Sequence, residues 1–246
     1  MWYLVVVIFA SWPAYLIRFS VGGVPSTLIE VMILAGIVWF FIKNGSRGFK
    51  IFHQALPDNF LYPIGLFFGA SVLAVLVAPD FWPALGLWRA YFFEPMLLFF
   101  ILISEIKTPE QVEAIINATA ISVLVVSAVA IFQRFTYFGV PYPWAGPNEF
   151  RVTCFFEYPN ALALFLVPFL ALFAGRLAIG SSYGFDPGSD LNTGSGHLSV
   201  SGSSSRSRWL LAIASICGTM ALVFSKSEGG IFALAIALIF LAAIYL

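Results

Sequence analysis

The stretch VEAIINATAISVLVVSAVAIFQRFT, residues 112–136, decides the fold. Between Glu113 and Arg134 it holds no charged residue. A helix crossing a bilayer needs about 20 mostly apolar residues, each adding about 1.5 Å. Similar runs sit at 2–17, 26–43, 60–78, 84–103, 155–178, 208–225 and 229–246. Together they predict an all-α, polytopic transmembrane helix bundle of about eight spans, built as a single transmembrane domain over 1–246. Composition agrees. Of 246 residues, 61% are hydrophobic and 10% charged, against about 25% charged in an ordinary soluble domain. With so few polar groups to cover a water-facing surface, a soluble enzyme is excluded, and the unbroken apolar runs exclude disorder and coiled coil.

Twelve Lys+Arg balance twelve Asp+Glu, for a formal net charge of +0. Bulk attraction to nucleic acid is therefore not expected. Cys154 and Cys217 fall in different segments without metal-type spacing, so neither a disulfide framework nor a metal site is predicted. Met1 leads directly into Trp2-Tyr3-Leu4-Val5, without the basic n-region of a cleavable leader. The last residues remain inside an apolar run, which suggests a portion of a longer protein. Residues 43–58 mix Lys43, Arg47, Lys50 and His53 with Phe49, Ile51, Phe52 and Leu56, a basic amphipathic stretch for a membrane surface. Residues 181–207, rich in Ser and Gly, read as a flexible cytoplasmic loop.

With the N-terminus inside, Lys43, Arg47, Lys50, Lys107, Arg176, Arg206 and Arg208 fall on the cytoplasmic side. Arg18, Arg89, Arg134, Arg151 and Lys226 fall outside. The bias of seven to five favours this orientation.

Charges at membrane depth are expensive, call for partners and mark function by default. Four groups collect on the outer side: Arg89 with Glu94; Gln133-Arg134; Arg151 through Glu157 to Pro159-Asn160; and Ser225-Lys226-Ser227-Glu228-Gly229-Gly230. Guanidinium forks grip phosphate oxygens. Free N–H groups at helix starts add to that pull, and a departing pyrophosphate needs such neutralisation. Arg151, Lys226, Glu228, Arg89, Arg134 and Asn160 are therefore the candidate substrate-binding residues. No catalytic residue is singled out.

Each also has a plainer explanation. Arg89 and Glu94 can pair with each other, and Arg134 can snorkel to the interface. Ser225-x-x-Glu228 is a capping-box pattern, and Pro159 suits the first position of a helix, with Asn160 a structural hydrogen-bonder. His53 and His197 fall in inner loops and read as inert. Trp82, Trp88, Tyr142 and Trp144 read as interface anchors.

At these residues the chain resembles the O-antigen ligase and polymerase family of bacterial envelope glycosyltransferases. Arg151…Phe155-Phe156…Pro159-Asn160-Ala161-Leu162-Ala163 looks like that family's Arg…Gly-x-Phe-x-x-Pro-Asn-x-Leu-Ala pattern. Ser225 to Leu234 looks like its Ser-x-Ser-Arg-Gly-Gly-x-x-Ala-Leu turn. The resemblance implies an enzyme of the bacterial cytoplasmic (inner) membrane that moves a glycan from undecaprenyl diphosphate to lipid A core or another acceptor, with no cofactor. Arg151 would engage the carrier diphosphate or the glycan beside it, and Lys226, near the family's basic turn position, would do likewise. Glu228 departs from the pattern, standing where the family has Arg. The family's large outer loop, with a His held to activate the acceptor, has no counterpart in these residues, so catalysis is expected of the longer parent protein. The alternatives are a polymerase of the same family, a membrane transporter or lipid-carrier flippase, and a non-catalytic membrane scaffold.

Overall fold

A computed structural model describes residues 2–21, 24–48, 50–51, 56, 58–146, 149–182 and 205–245. It is dominated by helices. They are α1 (Trp2–Ala10), α2 (Leu28–Asn44), α3 (Asp58–Leu76), α4 (Phe81–Glu105), α5 (Pro109–Thr136), α6 (Pro159–Ser182), α7 (Ser205–Ser225) and α8 (Glu228–Tyr245). Five of them, α3 to α7, are long and apolar enough to cross a membrane. α8 is a further apolar helix just below that length. The chain is an all-α membrane protein. Its outward faces are apolar as well, as on α8, where Phe232, Ile236, Ile239 and Phe240 are all exposed. Lipid solvates such faces, whereas a water-facing helix would carry charge there.

The segment 2–17 is not one spanning helix. α1 stops at Ala10 after 9 residues, about 13 Å long, and a 3-10 turn follows at Trp12–Leu16 with Pro13 in its first turn. Proline favours a helix start and cannot donate within a helix interior. Beyond it, β1 (Arg18–Val21) and β2 (Val24–Thr27) form an antiparallel hairpin that pairs Arg18 with Thr27. Thr27 then caps α2 in a complete capping box: Glu30 N–H donates to Thr27 Oγ1, and Thr27 N–H donates to Glu30 Oε2.

The chain folds into two compact units, Met1–Gln111 and Val112–Leu246. In the first, Ile8 of α1, Ile29 and Ile33 of α2, and Leu98 of α4 share a buried core. α4 passes through a π-helical turn at Arg89–Phe93, a distortion common at functional positions.

In the second unit α5 is the most buried of the long helices. Ala120, Val123, Val126 and Ala130 are buried against Leu162, Leu166, Leu170 and Phe173 of α6 and against Leu211, Ala214 and Leu222 of α7. Small residues let helix backbones approach where no hydrophobic force exists between apolar surfaces in lipid. A Cβ on Gly218 of α7 would lie 2.7 Å from Leu170 Cδ2, and one on Gly230 of α8 would lie 2.6 Å from Ala163 Cβ. Gly230 therefore serves the α6–α8 contact, while Gly229 faces open space. Ser207 Oγ also donates to Asn117 Oδ1 at 2.7 Å, a polar tie between α7 and α5.

The loop expected at 181–207 falls mainly outside the described residues; 181–182 end α6 and 205–207 begin α7. His53 and His197 lie outside them too, as does part of the basic stretch 43–58.

Candidate functional site

A helix leaves its last four carbonyls without internal partners. At the C-terminus of α7 two of these, and the carbonyl of Lys226 just beyond, are met by the segment that precedes α6. Val152 N–H donates to Phe224 O at 3.2 Å. Arg151 Nε donates to Ser225 O at 2.8 Å, and its Nη2 donates to Lys226 O at 3.0 Å and to Asn160 Oδ1 at 3.2 Å. Arg151 thus closes α7, while Asn160, the second residue of α6, steadies the guanidinium from the other side. Three of its five N–H bonds are used in this way, and the two on Nη1 have no partner among the described residues. The indole of Trp144 lies under the guanidinium, 5.1 Å from ring centroid to Cζ, a cation–π contact.

The platform behind Arg151 is built by Gln133, near the end of α5 and buried. Its Oε1 accepts from Thr153 N–H at 3.2 Å and Cys154 N–H at 2.7 Å. Its Nε2 donates to Cys154 O at 2.8 Å and Gly139 O at 3.3 Å. A single amide thereby holds 153–154 in place, and Arg151 with it. Cys154 is buried at a left-handed φ of 55°. Burial pushes its thiol up to about 12, against a smaller opposing pull from the Phe155 backbone N–H. Its Sγ donates to Val126 O at 3.2 Å. It is an inert structural thiol, not a nucleophile.

Two further cations share this end of the second unit. Arg134, in the last turn of α5, stands over the rings of Phe150 at 5.9 Å and Phe224 at 5.8 Å. Lys226 is exposed in the turn from α7 to α8 with φ of 49°. A non-glycine residue in that left-handed region is disfavoured by about 1–2 kcal/mol. Among the described residues, none of Arg134, Arg151 and Lys226 forms an ion pair with a carboxylate. Arg151 is held by carbonyls and a ring and Arg134 by rings, while the Lys226 side chain is exposed.

Two local expectations resolve differently here. The cap of α8 is Ser227, not Ser225: Ser227 Oγ accepts from Gly230 N–H at 3.4 Å. Ser225 Oγ instead donates to Leu222 O at 2.7 Å and accepts from Ser227 N–H at 3.3 Å. Glu228 is then the first, exposed residue of α8, where its charge complements the helix dipole. Pro159 does open α6, as its fixed φ suits.

The remaining candidate, Arg89, belongs to a different cluster, within the first unit. Its Nη2 donates to Glu30 Oε2 at 2.9 Å, and its Nε lies 3.2 Å from Glu94 Oε1. Arg89 pairs with Glu94, as the plainer explanation has it, and Glu30 joins them. Glu30 was not singled out by the sequence reading. Its one signal was Thr27-x-x-Glu30, the cap that aims the carboxylate. Of the presumed anchors, Trp82 and Tyr142 are exposed. Trp88 Nε1 donates to Ser71 Oγ at 2.9 Å, and Trp144 is the platform for Arg151. No metal-type group of His, Cys, Asp and Glu occurs among the described residues.

Compared with protein families, curated proteins and solved structures, the chain gives no match.

Proposed function

We propose that the second unit binds the diphosphate of an undecaprenyl-diphosphate-linked glycan, as part of an O-antigen ligase-like glycosyltransferase of the bacterial cytoplasmic membrane. One observation carries this reading. Arg134, Arg151 and Lys226 gather at one end of a membrane helix bundle with no ion pair to a described carboxylate, and Arg151 is fixed by two carbonyls and an indole. A cation oriented in advance and not neutralised binds and stabilises phosphate charge at little reorganisation cost. Nη1 of Arg151 would meet a diphosphate oxygen, Lys226 would add a mobile charge, and Arg134 would add to the field. Asn160 would keep Arg151 in position, and Glu228 would accept from sugar hydroxyls. Lipid A core or another glycan would be the acceptor, in ligase or polymerase mode respectively. In the same reading α2 and α8, about 25 and 27 Å long, join the five longer helices as crossings.

The test is binding of undecaprenyl diphosphate, with undecaprenol as control, to the protein in lipid nanodiscs. The diphosphate should bind more tightly than the alcohol. Lys226→Ala should weaken it about fivefold and Arg151→Lys by more, because a lysine cannot reproduce the guanidinium fork. In cells, glycan transfer should fall in the same order while folded protein persists. Equal binding of the diphosphate by all three proteins removes the site assignment.

The transporter alternative draws on the first unit, where Arg89 and Glu94 lie inside α4 rather than at its end. Flipping of labelled carrier lipid by purified protein in vesicles tests it, and substitution of Arg89 should then abolish the flux.

A further inference from the structure

The first unit contains a second place where positive charge is unspent, again among helix ends. α2 finishes at Asn44, α4 finishes at Glu105, and α5 starts at Pro109. Where these ends meet there is a cavity of about 510 Å³, lined by Phe40, Lys43, Asn44, Ile51, Ser104, Glu105, Lys107 and Gln111. That volume lies in the usual range for small-molecule sites.

The polar lining is biased towards donors. Gln111 Oε1 is occupied, accepting from Lys107 N–H at 2.6 Å and Thr108 N–H at 3.1 Å. Lys43 and Lys107 are exposed and form no ion pair with a described carboxylate. Against these two cations the lining holds one carboxylate, Glu105, leaving a net charge of +1. The second, independent observation is Ser104. It is 3% exposed, and its Oγ has no hydrogen-bond partner. A buried hydroxyl without a partner is costly unless something supplies one.

The helix that supplies Phe40, Lys43 and Asn44 also carries apolar surface. Val38, Trp39 and Ile42 on α2 are exposed, and Trp39 and Lys43 are four residues apart, on one helix face. An amphiphile with a phosphate head and acyl chains fits such a face, head on the lysines and chains along α2.

We propose that this cavity is a headgroup site for an anionic phospholipid, with the phosphate held between Lys43 and Lys107 and a headgroup oxygen accepting from Ser104 Oγ. The site uses neither the residues nor the ligand of the carrier-diphosphate reading, so each can fail without the other. Phosphate could also come from water as a free ion. The chains along Val38, Trp39 and Ile42 favour the lipid.

Native mass spectrometry of the detergent-solubilised protein, titrated with phosphatidylglycerol or phosphatidylcholine, tests the site, with inorganic phosphate as competitor. Phosphatidylglycerol should bind at least tenfold more tightly than phosphatidylcholine. Lys43→Ala with Lys107→Ala should weaken phosphatidylglycerol by about 25-fold, or about fivefold per lysine, and leave phosphatidylcholine unchanged. The double Arg variant should retain binding. Ser104→Ala, which removes only the buried hydroxyl, should weaken it a fewfold. Wild-type affinity in the double Ala variant overturns the proposal. So does displacement of the lipid by millimolar inorganic phosphate, which would assign the cavity to a soluble ion.

Discussion

Arg89 and Arg151 are the same residue type in two regions put to opposite uses. In the first unit, Arg89 stands between Glu30 and Glu94, at 2.9 and 3.2 Å. Its charge is answered by two carboxylates, and the cluster joins α2 to the π-turn of α4. In the second unit, Arg151 is held as firmly, but by the neutral carbonyls of Ser225 and Lys226. Carbonyls orient a guanidinium without cancelling its charge. An ion pair therefore points to structure, whereas a cation held by backbone acceptors points to a ligand. Sequence does not tell them apart, because both arginines sit in aromatic-rich segments.

The sharpest way to break that contrast is to remove each arginine. Arg89→Ala leaves two carboxylates facing each other and should lower stability by about 2–3 kcal/mol, the lower side of the range for a broken buried pair. The discount reflects a guanidinium that is 31% exposed. Arg151→Ala strands only neutral carbonyls, which water can reach, and should lower stability by about 1 kcal/mol. Thermal unfolding in detergent compares the two, and equal losses would end the contrast.

Lys226 sharpens it. If its left-handed turn is kept for the side chain, Lys226→Gly should raise stability by about 0.5–1 kcal/mol, since glycine adopts φ of 49° freely. The same variant should bind carrier diphosphate less well. A gain in stability with undiminished binding would mean that the lysine serves nothing at this site.

The smallest effect is the pH response of the platform behind Arg151. Cys154 carries a thiol raised from its ordinary value of 9.0 to about 12 by burial. Its folded-state value is the higher, so its contribution to stability is complete below about pH 9. That contribution is lost as pH rises towards 12, because the unfolded chain releases the proton first. Unfolding measured from pH 8 to 11 should show a decline that Cys154→Ala reduces. An unchanged decline would place its cause elsewhere.

Much of the fold was legible because bilayers impose a simple length rule. The runs from 60–78 onwards all became helices within a few residues of their expected bounds, and α8 did so most closely. The first run misled because apolar composition cannot distinguish a spanning helix from a short helix followed by a 3-10 turn. Pro13 was the local clue. At the candidate site, Arg151, Asn160 and Lys226 were legible from charge and motif. They were expected to share one membrane face with Arg89 and Glu94; in the structure Arg151 meets Asn160 and the backbone of Lys226, and Arg89 and Glu94 meet Glu30. The Ser225-x-x-Glu228 pattern misled for a physical reason. Lys226 turns the chain in a left-handed conformation, which puts Ser227 rather than Ser225 at the start of α8.

By itself, the sequence determined that the chain lives in a membrane, that its spanning elements are helices, and that most of its few charges lie near their ends. Those follow from the cost of unpaired backbone and of charge in hydrocarbon, which is local and depends on composition. Only the tertiary structure decided which charges are spent. The acceptors of Arg151 are backbone carbonyls 74 and 75 residues away, and every residue carries such a carbonyl. Whether a given carbonyl is left free at a helix end, and which side chain reaches it, is settled by packing alone.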